Sequence, residues 1–311
     1  MRSFVVALSI VLLGVATANA ASPVTAAAFT PSGNQVVLGS QKGIEILSWP
    51  DLAQAGTVPT ELDHVHCLSF SPDRKTLLAA GGSPAEEGAV EVYSWPEGQR
   101  IRRVVSHADL VYHVAWAPEG TQWATAGADG ICHIAEAGNG QSSVRYAGHS
   151  RAVLSVCFVG DGKLIASVGV DQTLQLWERA TGKHVRTLDN HVGVVNAVVA
   201  RPGPSAQIPV VATISEDRTV RLWQPTIGRL MRFARLPSVP RVAAWSTTGD
   251  RLFIGCNDGH VRVLNADTLA VESDLPGVEG RIHELILDSK RNRLLIAGEA
   301  GMRSLELKTA D

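Results

Sequence analysis

One pattern of short strands recurs seven times and constrains the fold of this chain more than any other feature. Each copy has an apolar strand, a turn rich in Pro, Gly or Asp, a second strand, another turn and a third, alternating strand. The copies begin near residues 24, 65, 111, 153, 194, 240 and 282, at intervals of 41 to 46 residues. A period in the forties that consists only of short strands predicts a β-propeller with one blade per copy.

The three strands of each copy differ in pattern, which indicates where each lies in its blade. First strands such as Val153–Phe158 alternate small and large residues, as expected for a crowded strand beside the central axis. Second strands such as Leu164–Ser167 are almost entirely apolar, which indicates burial on both faces. Third strands such as Leu174–Trp177 alternate strictly, a pattern typical of half-buried strands. Because no segment has a sustained 3.6-residue period, we predict an all-β fold with almost no helix.

Repeats four and five share four polar or aromatic residues at matching positions. These are His149, Ser167, Asp171 and Trp177 in repeat four, and His191, Thr213, Asp217 and Trp223 in repeat five. The pattern resembles the GH…S…D…WD signature of WD40 repeats. The resemblance implies a structural tetrad in which the imidazole bridges the carboxylate and the hydroxyl, and the hydroxyl also bonds the indole N–H.

The other repeats depart from this signature to different degrees. Repeat three keeps His107, Thr125 and Asp129 but has Ala135 where the signature has Trp, and repeats one, two and seven lack the tetrad. At the level of period and strand pattern the resemblance nevertheless covers the whole chain after residue 20. It implies a seven-bladed β-propeller of the WD40 type, because apolar packing between blades carries most of the stability of such folds.

The first twenty residues have the pattern of an export signal. Arg2 precedes an apolar stretch over Val5–Ala16, and Ala18–Ala20 form a small-x-small cleavage site. The alternative is a membrane anchor, but the apolar run is too short to span a bilayer easily. We therefore predict cleavage after Ala20, a single propeller domain over residues 21–311 without a transmembrane segment, and a periplasmic or extracellular location. The absence of an Asn-x-Ser/Thr sequon agrees with a bacterial source.

The pattern of the last repeat predicts a blade with three strands. Val24 already belongs to a first strand, and residues 301–311 complete a third strand and then stop. Neither end is then expected to supply a fourth strand after cleavage. Such a blade would have an open edge with unpaired backbone groups, to which a partner could add a strand.

Charge and motifs argue against several functional classes. The formal net charge is −2 and only 19% of residues are charged, so the chain lacks the basic excess used to bind nucleic acid. No GxSxG, Walker, HExxH or GxGxxG motif is present, and the four cysteines form neither CxxC nor CxxCH, so we expect reduced thiols. His64, His66, His113, His283 and Glu284 offer metal-ligating atoms without diagnostic spacing. We therefore predict a protein that has no catalytic residues, metal or cofactor.

A protein-binding surface is the strongest functional prediction. The resemblance implies that partner contacts come from residues flanking the start of each first strand and from the residue before the tetrad Asp. Repeat by repeat, these residues are His64, His66 and Glu86; Leu110 and Tyr112; Leu154 and Val170; Val195 and Glu216; Arg241 and Asn257; and Arg281 and His283. They divide into an apolar sector in repeats three to five and a polar, partly cationic sector elsewhere, a composition typical of interfaces.

These observations favour a non-catalytic scaffold for another exported or membrane-bound protein. Two alternatives remain open at this stage. The first is a propeller enzyme of the lactonase or quinone-dehydrogenase kind, although the chain has few aromatic residues to line a cofactor pocket. The second is an accessory protein that docks an electron-transfer partner, for which an Arg/His sector would attract an acidic surface.

Overall fold

Seven antiparallel sheets of four strands make up the computed structural model, which describes residues 16–18, 23–203 and 208–307. Each sheet corresponds to one sequence repeat, and its strands are hydrogen-bonded in chain order from the inner to the outer strand. The exception is the seventh sheet, whose outer strand comes from the start of the chain. The structure is therefore a seven-bladed, all-β propeller.

The strands of blades one to four follow the chain. Their bounds are β2 Ala26–Phe29, β3 Gln35–Ser40, β4 Gly43–Ser48 and β5 Gln54–Val58; β6 His64–Phe70, β7 Thr76–Ser83, β8 Glu87–Ser94 and β9 Arg100–His107; β10 Val111–Trp116, β11 Gln122–Gly127, β12 Cys132–Glu136 and β13 Ser142–Tyr146; and β14 Val153–Val159, β15 Leu164–Gly169, β16 Leu174–Glu178 and β17 His184–Leu188.

Blades five to seven complete the ring. Their bounds are β18 Val195–Ala200, β19 Val211–Ser215, β20 Thr219–Gln224 and β21 Arg229–Arg235; β22 Pro240–Trp245, β23 Arg251–Cys256, β24 His260–Asn265 and β25 Val271–Pro276; and β26 Ile282–Asp288, β27 Arg293–Gly298, β28 Gly301–Glu306 and the short strand β1 Ala16–Ala18. The inner strands begin within two residues of the repeat starts that the sequence predicts. The helical part of the described chain is one 3₁₀ turn, Pro225–Ile227, and no described helix has the length and apolar character needed to cross a membrane.

The core lies between adjacent blades. The second strands are buried except at their ends, and their side chains pack in clusters that join one blade to the next. One cluster contains Leu38 and Trp49 of blade one together with Leu295 and Met302 of blade seven, so apolar packing also joins the first and last blades. Burial of each large apolar side chain contributes roughly 1.5–3 kcal/mol, so these contacts can hold the ring closed.

The outer edge of the seventh blade differs from the sequence prediction. β26, β27 and β28 are the three strands expected from the last repeat, but β28 is also paired with β1, in the register Ala16↔Ser304 to Ala18↔Met302. In the full-length chain, residues 16–18 therefore supply a fourth strand, whereas the prediction of three strands refers to a chain cleaved after Ala20. β1 lies within the predicted export signal, and cleavage after Ala20, if it occurs, would remove β1 and leave the edge of β28 open.

Candidate functional site

The tetrad residues of blades four and five form a continuous chain of hydrogen bonds. In blade four, His149 Nδ1 lies 2.8 Å from Asp171 Oδ2, His149 Nε2 lies 2.8 Å from Ser167 Oγ, and Trp177 Nε1 donates to that oxygen at 3.1 Å. The fully buried indole and hydroxyl thus both have partners. A buried network with every polar atom satisfied holds the strands of a blade in register, which is a structural role.

Blade five repeats this arrangement. His191 lies 2.8 Å from both Asp217 and Thr213, and Trp223 Nε1 donates to Thr213 at 2.8 Å. Burial opposes ionisation of Asp217, but hydrogen bonds from Thr219 and His191 outweigh it and lower its pKa to about 2. Asp217 is therefore an anion at neutral pH and holds the imidazole in place.

Blade three keeps three members of the tetrad. His107 bonds Asp129 at 3.0 Å and Thr125 at 2.7 Å. The indole is replaced by the small, buried Ala135. The His133 ring packs edge-on against His107, with ring centroids 4.8 Å apart.

Other blades carry polar networks that the sequence patterns did not reveal. In blade two, the completely buried Glu91 accepts hydrogen bonds from Thr60 at 2.6 Å and Arg100 at 2.7 Å, and also from Tyr93. Trp49 of blade one donates to Asp288 of blade seven at 2.8 Å and so links the two blades that close the ring. A usable signal was Tyr93, which occupies the tetrad Trp position of its repeat and, when buried, needs a partner for its hydroxyl.

The face on which the inner strands begin, here called the top face, holds most of the predicted contact residues. His64, His66 and Tyr112 form an aromatic cluster: the rings of His64 and His66 stack 6.0 Å apart, and Tyr112 meets His66 edge-on at 5.3 Å. Burial, and then the neighbouring His64, lower the pKa of His66 to about 4, so His66 is neutral at physiological pH. This cluster joins blades two and three as a half-exposed aromatic surface.

Arg241 lies at the centre of a second group on the top face. Its guanidinium donates to Asn257 at 2.7 Å and to Glu216 at 3.0 Å, and it approaches Asn196 at 3.4 Å. Arg281 is paired in the same way with Glu299 at 2.6 Å. Both arginines are thus held by carboxylates of the protein itself. The sector is consequently less cationic than the sequence analysis predicts.

The remaining predicted contact residues separate into accessible and buried positions. Glu86 is exposed, whereas Leu154, Val170 and His283 are partly accessible. Two predictions need correction: Val195 is completely buried and Leu110 nearly so, because both pack into the blades. In blade five the half-exposed residue next to Val195 is Asn196, so the family-based mapping was shifted by one residue at that inner strand.

The side chains considered as metal ligands do not converge. Within the described residues, no three His, Cys, Asp or Glu side chains are placed to share a metal ion. His113 lies along the inner strand of blade three, where burial lowers its pKa to about 4. Glu284 lies on the inner strand of blade seven, where burial raises its pKa to about 7. The four cysteines, Cys67, Cys132, Cys157 and Cys256, are unpaired, and burial raises the pKa of each thiol.

Three segments of the chain match the family of the WD domain, G-beta repeat: residues 98–134, 140–178 and 182–224. Each segment begins at or just before the outer strand of one blade and ends in the third strand of the next. The matched segments include all the tetrad residues of blades three to five. The family match and the hydrogen-bond geometry therefore identify the same part of the chain.

Fungal proteins are among the similar curated sequences. Eukaryotic translation initiation factor 3 subunit I of Pyricularia oryzae is 33% identical over 147 residues, which are 46% of this chain and 42% of the fungal protein. The same subunit of Debaryomyces hansenii is 30% identical over 35% of this chain and 30% of its own length. Protein HIR1 of Cryptococcus neoformans is 30% identical over 60% of this chain and 24% of its own length.

The matched region covers less than half of each of these relatives, and all three are eukaryotic. The relatives therefore give no support to a bacterial source. The repeat matches, the tetrads and the sheet topology agree on one architecture. The chain contains WD40 repeats and folds as a seven-bladed propeller of the WD40 type.

Proposed function

We propose that this protein is a non-catalytic scaffold that binds a partner protein on its top face. Two observations carry the proposal: the aromatic cluster of His64, His66 and Tyr112 on blades two and three, and the ordered Arg241 on blade six. Tyr112 is half-buried, and its hydroxyl makes no hydrogen bond to any other described side chain or backbone group. Half-exposed Tyr and Arg side chains held by their surroundings are typical of the residues that dominate binding energy at interfaces.

The two parts of this surface support different aspects of binding. The aromatic cluster offers apolar area that a partner can cover at small cost in side-chain entropy, because packing already restricts the rings. Arg241 is oriented by Glu216 and Asn257 before any partner arrives, so little ordering is needed on binding. One similar protein is named as a subunit of a translation factor, which agrees with a role as a component of an assembly.

The test is a crosslinking pull-down with the full-length protein in its native cells, comparing wild type with the Tyr112→Ala/Arg241→Glu variant. We expect the variant to lose a partner that the wild type retains. Lys290→Glu is the matched control, since it reverses an exposed charge in a turn on the opposite face. Equal recovery of every partner by the wild type and the top-face variant, with both folded by circular dichroism, would contradict the proposal.

We further propose that residues 1–20 are an export signal, so that the scaffold acts on an exported or membrane-bound partner. The support is the charged start, the short apolar run and the small-residue cleavage pattern. Removal of β1 by cleavage would open the edge of β28, where a partner could add a strand. N-terminal sequencing of the protein purified from its native cells tests this: a start at Ala21 supports export, and an intact Met1 contradicts it.

A further inference from the structure

Two neighbouring outer strands, β17 of blade four and β21 of blade five, face each other at the circumference of the propeller, and the space between them is here called a cleft. Leu188 of β17 and Leu230 of β21 pack in one cluster with Trp223, so these faces of the two strands are turned toward each other. Arg186 is on the Leu188 side of β17, because it pairs with the buried Leu176 of the same cluster. The Arg186 side chain reaches Gly228, just before β21, where an added Cβ would lie 2.8 Å from Nη1.

The other wall of the cleft is formed by β20 and β21. The Arg221 guanidinium lies over the Phe233 ring at 5.6 Å, and register places Arg235 opposite Thr219 on the same side of the sheet. Phe233 is 62% exposed, unusually high for a large aromatic side chain. We call Arg186, Arg221, Phe233 and Arg235 the β17–β21 cleft.

Most of the arginines around this cleft have no internal carboxylate partner. Arg221 lies 3.6 Å from Asp217. Within the described residues, Arg186 and Arg235 form no ion pair, and both are exposed. Arg229 and Arg232 are opposite Gln224 and Leu222 and therefore lie on the other face of the sheet, toward blade six. The exposed Met231 adds apolar area on the same strand. The combination is a cationic rim around an aromatic platform.

The outer strand of blade two shows that this is not a general property of arginine-rich outer strands. On β9, Arg100 pairs with Glu61 and Glu91, and Arg103 pairs with Glu87. Carboxylates of the protein therefore already occupy those arginines. The β21 arginines lack such partners and can interact with acidic groups from outside the chain.

We propose that the β17–β21 cleft binds an extended acidic segment of a partner protein, with an apolar side chain placed on Phe233. Guanidinium groups bind carboxylates through paired hydrogen bonds, and the exposed ring supplies apolar contact. In the described residues β21 is hydrogen-bonded only to β20, so its outer edge can also pair with an added strand. That free edge favours a polypeptide over a phosphate-rich partner, and the net charge of −2 argues against broad polyanion binding. This surface is separate from the top face.

The test uses fluorescence polarisation with a labelled peptide of aspartate and glutamate residues that carries one central leucine. We expect the full-length protein to bind this peptide and not its lysine counterpart. Phe233→Ser/Arg235→Glu on blade five and Arg186→Glu on blade four should each weaken binding by about tenfold or more. The two variants lie on separate blades, so the proposal can still be tested with one of them if the other fails to fold.

The matched control is Ile101→Ser/Arg102→Glu on β9, which changes an apolar residue that is 53% exposed and an arginine on another outer strand. The control should bind like the wild type. The proposal fails if the peptide does not bind, if the cleft variants bind it as well as wild type, or if the control loses as much affinity as they do. It also fails if vesicles of phosphatidylcholine and phosphatidylserine bind through Phe233 while the peptide does not. The Tyr112→Ala/Arg241→Glu variant should still bind the peptide, so failure here is distinguishable from failure of the top-face proposal.

Discussion

Blades five and two stabilise their polar interiors in different ways. Blade five uses His191, Thr213 and Trp223, with Asp217 at the end of the chain of hydrogen bonds. Blade two has an apolar residue, Ala79, at the position of Thr213, and places Glu91 at the next strand instead. Both arrangements satisfy buried polar atoms, but only one of them has the WD40 pattern.

The comparison shows that the buried polar groups of a blade need hydrogen-bond partners, and that different residues can supply these partners. In blade five an imidazole links the Asp217 carboxylate, whose side chain is 3% exposed, to the Thr213 hydroxyl. In blade two the carboxylate itself is completely buried and is compensated by Arg100 and two hydroxyl donors. Glu91 is a completely buried carboxylate, whereas Thr213 contributes a neutral hydroxyl, so the loss of Glu91 should cost more stability than the loss of the Thr213 hydroxyl.

The largest effect is expected for Glu91→Ala. The substitution removes the acceptor of the Thr60 hydroxyl and of one Arg100 contact, and leaves the Tyr93 hydroxyl with the Pro59 carbonyl at 2.9 Å as its acceptor. Loss of one partner from such a buried charged network should lower the free energy of unfolding by about 3 kcal/mol. Urea denaturation followed by circular dichroism measures the change.

Glu45→Ala is the control for Glu91→Ala, because Glu45 occupies the equivalent position on the third strand of blade one. Within the described residues the Glu45 side chain makes no ion pair, so the control should change stability by less than about 1 kcal/mol. If both variants lowered the free energy of unfolding by similar amounts, the hydrogen bonds and ion pairs of Glu91 would add no stability beyond that of a glutamate without them.

A smaller effect is expected for Thr213→Val, which keeps the side-chain shape and removes the hydroxyl. His191 Nε2 and Trp223 Nε1 would each lose a hydrogen bond of 2.8 Å while remaining buried. The free energy of unfolding should fall by about 2 kcal/mol, which is less than for Glu91→Ala since no charge is left uncompensated. The exposed Thr187→Val is the matched control and should have little effect. If Thr213→Val lowered the free energy of unfolding as much as Glu91→Ala does, the buried charge of blade two would not make its network more sensitive than the tetrad of blade five.

The same comparison explains how much of the fold was predictable from sequence. The ring of seven blades followed from the repeat period, because each copy keeps the spacing of turns and apolar strands even where the tetrad is missing. The blade-five tetrad was predictable because its four residue types recur at fixed spacing in repeat four. The Glu91 network could not be found in this way, because its members come from the loop between β5 and β6 and from the strands β8 and β9, and no other repeat has the same combination.

The third strands show a physical reason for a mistaken expectation. Their strict alternation predicts one face in solvent, yet Glu91, Gln175 and Arg262 are nearly or completely buried. A blade is covered on both faces by its neighbours, so polar residues on the third strand point into the space between blades and must be paired there. Arg262, for example, is bonded to Asp258 at 2.7 Å. In the candidate site, the positions of the aromatic residues in their repeats were enough to predict the aromatic cluster. The pairing of Arg241 with Glu216 and of Arg281 with Glu299 depends on residues that the repeat pattern does not specify.

The smallest effect is expected at Glu284, a second and partly buried carboxylate that contrasts with Glu91. Glu284 accepts a hydrogen bond from the Leu285 N–H at 3.1 Å, but among the described residues no cation pairs with it. Burial therefore raises its pKa to about 7. The folded state favours the protonated form of Glu284. Below the pKa that Glu284 has in the unfolded chain, the side chain is protonated in both states and does not destabilise the fold. The free energy of unfolding therefore falls as the pH rises from that value toward 7.

Glu284→Gln should remove this pH dependence. The variant and the wild type should have similar free energies of unfolding near pH 4, and the variant should be more stable by about 1 kcal/mol near pH 8, a value reduced for the partial exposure of the side chain. Urea titrations at the two pH values measure the difference. If Glu284→Gln destabilised the protein equally at both, the carboxylate would have to be compensated as Glu91 is, and the contrast between a paired and an unpaired buried carboxylate would be lost.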